Sequence, residues 1–141
     1  MYMPLNDGYM ELNIGEPSLV KNTLGDYHEY PLNGRDSLGA IECMRRFSHF
    51  VDFHKCLQER FPGLYIPPIP PKAQDKKKGD VLEERRYFLE MFLKECIALP
   101  YLVGGVELQT FLRPVGEVDK ALGKLYRDKP LVLLQCYRAT L

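Results

Sequence analysis

Four groups of basic side chains are the residues in this sequence whose types and spacing could do chemistry: Arg45-Arg46, Lys72, Lys76-Lys77-Lys78 and Arg85-Arg86. A guanidinium presents a planar fork that can donate two parallel hydrogen bonds to one phosphate, whereas an ammonium is a compact point charge. The chemistry on offer is therefore recognition of an anion. Arg45 and Arg46 are neighbours on a stretch of strand character, and strand neighbours point to opposite faces, so only one of them can serve a given pocket. Arg85 is three residues after Leu82 and four before Leu89, which puts it on the apolar stripe of a helix. A purely solvated arginine is unexpected there, so an anion should meet it, either a ligand or a carboxylate from the acidic first third.

The charge distribution supports a local anion site. The 141 residues carry 19 basic and 19 acidic groups, so no bulk polycation is available to hold nucleic acid or a membrane non-specifically. Residues 1–42 have two basic and seven acidic groups, while residues 43–86 have ten and six. Positive charge is thus concentrated in the middle of the chain. Cys43, Cys56, Cys96 and Cys136 form no CxxC pair, and His28, His49 and His54 have no metal-ligand spacing, so zinc and redox chemistry are not suggested. There is no nucleophile–base pair, no glycine-rich phosphate cradle before a helix and no catalytic carboxylate pair. The expectation is a protein that is not an enzyme and uses no cofactor. No signal-peptide core and no apolar run near the roughly 18 residues of a membrane span is present, which predicts a cytoplasmic protein with peripheral membrane contact.

The elements that must position these groups follow from periodicity. Turn formers at Asn6-Asp7-Gly8, Gly15-Glu16-Pro17, Gly25-Asp26 and Asn33-Gly34 separate short strand-like stretches at 9–14, 27–31 and 40–47, an antiparallel meander of three strands. After Phe47 the period changes. Ser48 is the expected N-cap, and Phe50, Phe53, Leu57 and Phe61 fall on one helical face before Pro62-Gly63. Four prolines within residues 67–71 predict an extended polyproline segment. A second helix is marked by Leu82, Leu89, Phe92, Leu93 and Cys96, Pro100 and Gly104-Gly105 break the pattern, and a short helix covers 106–112. Beyond Pro114, Val118, Leu122 and Leu125 form an amphipathic stripe, and Leu131-Val132-Leu133-Leu134 is an apolar run. Residues 1–114 are expected to form one domain and 115–141 a C-terminal helical tail that packs back on the core or pairs with another chain.

Three features in this order resemble the Phox-homology (PX) domain of sorting nexins. The stretch Met44-Arg45-Arg46-Phe47-Ser48-His49-Phe50 is similar to that family's strand-to-helix junction, Pro67-Pro68-Ile69-Pro70-Pro71-Lys72 to its proline-rich stretch, and Glu83-Glu84-Arg85-Arg86 followed by Leu89 to its helix arginine. The resemblance spans about residues 9 to 113. It implies an α+β fold, with a three-stranded antiparallel sheet packed against a helical subdomain carrying a polyproline loop. It also implies binding of phosphatidylinositol 3-phosphate on endosomal membranes, in sorting and trafficking. On this basis Arg46 grips the 3-phosphate, leaving Arg45 to solvent or a partner, and the Phe47 ring stacks under the inositol. Lys72 contacts the 1-phosphate, Arg85 bonds the 4- and 5-hydroxyls, and Lys76, Lys77 and Lys78 face the bilayer. The alternative is a protein–protein interaction module that uses the proline-rich loop, which holds a P-x-x-P pattern, and the C-terminal tail.

Overall fold

The computed structural model describes residues 9–71 and 79–127. Strand β1 (Met10–Ile14) alternates buried and exposed side chains, with Met10, Leu12 and Ile14 facing the core. A short strand β2 (Ser18–Val20) follows, then β3 (Tyr27–Asp36) and β4 (Gly39–Arg46) as a hairpin. All pairings are antiparallel, and β1 and β2 lie one after the other along the same edge of β3. From the Ile14↔Leu32 pair to the Ser18↔Glu29 pair the outer edge advances four residues while β3 advances three. One extra residue is thus inserted at Gly15-Glu16-Pro17, as in a β-bulge, and Gly15 N–H still donates to Pro31 O at 2.9 Å.

The sheet therefore has four strands where the sequence predicts three. The added strand continues the β1 edge past the bulge and is too short, at three residues, to show a period. A second difference is at Asn33-Gly34, expected as a turn but lying inside β3. Gly34 faces Leu12 on one side and Ile41 on the other, and a Cβ there would come within 1.8 Å of Glu11 O. The glycine serves a close strand approach. The hairpin turns instead at Ser37-Leu38, where Asp36 Oδ1 accepts from Leu38 N–H and Gly39 adopts φ +126°.

Helix α1 (Phe47–Arg60) buries Phe50, Phe53, Cys56 and Leu57, with Phe61 just beyond it. Its N-cap is Arg46 rather than Ser48; the Arg46 N–H donates to His49 Nδ1 at 3.0 Å. Burial, and then the Arg45 and Arg46 cations, hold His49 below its usual pKa, which keeps that nitrogen free to accept. The proline-rich stretch lies in neither helix nor strand, with Pro67 buried and Ile66 and Ile69 packed on the core.

Helix α2 (Gly79–Ala98) buries Leu89, Phe92, Leu93 and Cys96. It also finishes the β1 edge: Glu90 accepts from Ile14 N–H at 2.7 Å and Arg86 donates to Ile14 O at 3.0 Å, so the outward backbone groups of Ile14 on this edge strand are paired. Pro100, read as a break, is the first residue of a further helix, α3 (Pro100–Val103), where its missing N–H removes nothing. Helix α4 (Val106–Leu112) lies where periodicity places it.

Phe50, Phe53, Phe92 and Phe111 form an aromatic centre joining α1, α2 and α4, with Phe53 stacked on Phe111 at 4.4 Å. Helix α5 (Val118–Arg127) packs on α1 and α4, burying Val118 and Leu122. Buried Arg60 ties these helices together through Glu107 of α4 and the Leu125 carbonyl of α5, the latter at 2.6 Å.

Candidate functional site

The end of β4, the start of α1 and the first turns of α2 meet at one cavity of about 320 Å³. Arg46, Phe47 and Ser48 line it from the strand-to-helix junction, and Val81, Leu82 and Arg85 from α2. Tyr27 and Tyr30 close it from β3. Sequence reasoning thus placed Arg46, Phe47 and Arg85 in a common site, and the fold brings these three together. Lys72, Lys76, Lys77 and Lys78 lie outside the described residues.

Both arginines are held by rings rather than by carboxylates. The Arg46 guanidinium lies 3.7 Å from the Tyr27 ring centroid, and that of Arg85 lies 4.1 Å from the Phe47 ring centroid. Among the described residues neither forms a salt bridge, so the internal ion pair considered for Arg85 is not made. Arg85 Nη2 and the Tyr30 hydroxyl are buried with no hydrogen-bond partner. Burial raises the Tyr30 pKa, against the adjacent Arg85 guanidinium, which lowers it by its charge and as a nearby donor; the two groups face each other but do not meet hydrogen-bond geometry. A buried donor on a charged group is costly to leave unpaired, so this cavity holds unspent capacity to bond an anion. Helix α1 adds to the field: its N-terminus points its free N–H groups toward this junction, and its first turn has no acidic residue to offset them.

Arg45 is a correction. It is neither solvated nor held for a partner: it is buried on the core face of β4, opposite Tyr30. Its Nε donates to Phe111 O at 2.8 Å, and its Nη2 reaches Leu112 O at 3.5 Å. The side chain satisfies carbonyls at the end of α4 that have no partner within the helix, a use for arginine that strand alternation alone does not show. Tyr27 and Tyr30 were not anticipated either. The register pairs Glu29 with Arg46, which places Tyr27 diagonally across from Arg46 on the same face, a relation available only once the pairing is known.

The model of the PX domain matches residues 35–115 of this chain, more than half of it. The chain belongs to the PX domain family. This PX domain is similar over 96% of its length to sorting nexin 1 of Arabidopsis thaliana, at 27% identity. It is 35% identical to sorting nexin 2A of the same plant over 78% of the chain. The aligned parts are 36% and 22% of those proteins' own lengths. Among solved structures, a designed CISK-PX domain superposes with a TM-score of 0.66 at 25% identity, covering 73% of this chain and 98% of that one. The mouse SNX19 PX domain with a bound sulphate ion gives 0.59 at 25% identity, covering 74% and 96%.

Of the described residues, no helix is long and apolar enough to cross a membrane, and no cluster of three or more His, Cys, Asp or Glu could hold a metal.

Proposed function

We propose that this PX domain is a membrane-targeting module that binds phosphatidylinositol 3-phosphate and docks peripherally on endosomal membranes, in a sorting or trafficking role. The observation that carries this is the convergence of Arg46 and Arg85 on one open cavity, each stacked on an aromatic ring, with Arg85 Nη2 buried and unpaired. A phosphate monoester brings nearly two charges and three acceptor oxygens to such a site. Arg46, beside the N-terminus of α1, takes the 3-phosphate. The Phe47 ring supplies an apolar face for the inositol, and Arg85 directs its free donor to the ring hydroxyls. The volume suits one sugar-sized head group. That the mouse SNX19 PX domain holds a sulphate ion supports tetrahedral oxyanion binding by this fold.

Lys72 completes the grip at the 1-phosphate. Lys76, Lys77 and Lys78 contribute about 1 kcal/mol each near an anionic leaflet, giving reversible and salt-sensitive attachment. The lipid-binding unit is residues 1–114, braced by α5 from the tail. Pelleting with phosphatidylcholine vesicles containing 3% phosphatidylinositol 3-phosphate tests the assignment. Arg46→Ala should abolish co-sedimentation while thermal unfolding stays cooperative; equal pelleting of the folded variant and the wild type would overturn it.

A further inference from the structure

A second cavity of about 480 Å³ adjoins the first, and Val81 and Arg85 line both. One wall is the polyproline stretch Pro68–Pro71, with Ile69 between the prolines. Prolines have no N–H, so the prolines in this wall offer carbonyl acceptors and apolar rings but no donors. The other wall is α2, where Phe88 and Met91 remain 42% and 40% exposed although they are three residues apart on one face. Glu84 and Glu95 also line the groove, each four residues from that apolar pair. At the helical rise each carboxylate is about 6 Å along the axis from the nearer of the two. Among the described residues neither glutamate has a salt-bridge partner.

We propose that this groove binds a short segment of a partner protein in which an apolar pair is flanked by lysine or arginine. Phe88 and Met91 take the apolar side chains, and a polarizable methionine adapts to their shape. Glu84 and Glu95 bracket the pair and receive the flanking cations, while the proline carbonyls accept from the segment's N–H groups. The same two carboxylates oppose an anionic bilayer, since each would face lipid phosphates at close range. Arg85 and Val81 are shared with the head-group cavity, whereas Arg46 lines that cavity and not this groove.

The test is selection of a phage-displayed random 12-residue peptide library on the full chain, followed by fluorescence polarisation of the selected peptides. Enriched sequences should carry apolar residues flanked by Lys or Arg. Phe88→Ser with Met91→Ser should weaken them about tenfold or more. Glu84→Lys with Glu95→Lys should turn the selected flanks from basic to acidic, and Arg46→Ala should leave peptide affinity unchanged. The proposal fails if no sequence is enriched, if the serine variant binds the peptides as well as wild type, or if charge reversal leaves the flanks basic. It also fails if the serine variant loses pelleting on phosphatidylserine vesicles while its peptide binding is intact, which would assign the surface to a bilayer.

Discussion

Arg85→Met should raise the stability of the lipid-free protein while weakening its hold on phosphatidylinositol 3-phosphate vesicles. In the folded protein Arg85 gains a cation–π contact with Phe47, at 4.1 Å, of about 1 kcal/mol. Against this, its buried Nη2 has no partner, a penalty of about 1–3 kcal/mol. Methionine keeps the unbranched apolar stem and a favourable sulfur–ring contact, so most of the packing is retained. The balance is a gain on the order of 1 kcal/mol, or about 3 °C in the unfolding midpoint of a domain this size. Binding moves the other way. One charge-assisted hydrogen bond is worth about 1.5–3 kcal/mol, so vesicle affinity should fall about ten- to a hundredfold. Differential scanning fluorimetry without lipid and vesicle pelleting read the two quantities separately. A midpoint lowered by several degrees with pelleting unchanged would show that Arg85 braces the fold, and would refute its assignment to the head group.

Other substitutions probe the frame that holds the site. Asp36 accepts hydrogen bonds from Arg113, Gln109 and the Leu38 N–H, which hold its pKa at about 2, below the ordinary 3.8. A depressed acid stabilises the fold above its unfolded pKa, so about 2 kcal/mol should be present at neutral pH and lost as pH falls from about 4 toward 2; urea titrations of Asp36→Asn should show that acid limb flattened. Glu107→Ala leaves Arg60 buried without its counter-ion and should cost about 3–5 kcal/mol by chemical denaturation, with Arg60→Met/Glu107→Leu recovering much of the loss. Gly34→Ala forces a methyl against Glu11 O and should lower stability by more than about 3 kcal/mol, whereas Gly104→Ala, with open space at its Cβ, should change it little in the same assay.

The helical parts were legible because their signal is local. The three- and four-residue spacing of Phe50, Phe53, Leu57 and Phe61, and of Leu89, Phe92, Leu93 and Cys96, survives as the buried faces of α1 and α2. The sheet was harder. A three-residue strand has no measurable period, and Asn-Gly reads as a turn wherever a chain reverses, although at Gly34 the glycine answers a neighbouring strand remote in sequence. Pro100 shows the same ambiguity: it ends helices and it also starts them.

For the site, charge and spacing by themselves pointed to basic groups in the middle of the chain, singled out Arg85 and required Arg45 and Arg46 to part company, while Arg46 and Phe47 were chosen through the resemblance to the PX family. The charge concentration, the place of Arg85 on an apolar stripe and the parting of the two arginines depend only on charge, helical spacing and the alternation of strand side chains, which a sequence carries directly. Which way each arginine turned was decided by the tertiary structure. The end of α4 comes to lie against the core face of β4 and offers carbonyls to Arg45, while β3 brings Tyr27 under Arg46. The partners come from distant segments of the chain, and whether a buried charge is satisfied depends on which groups folding brings within hydrogen-bond reach.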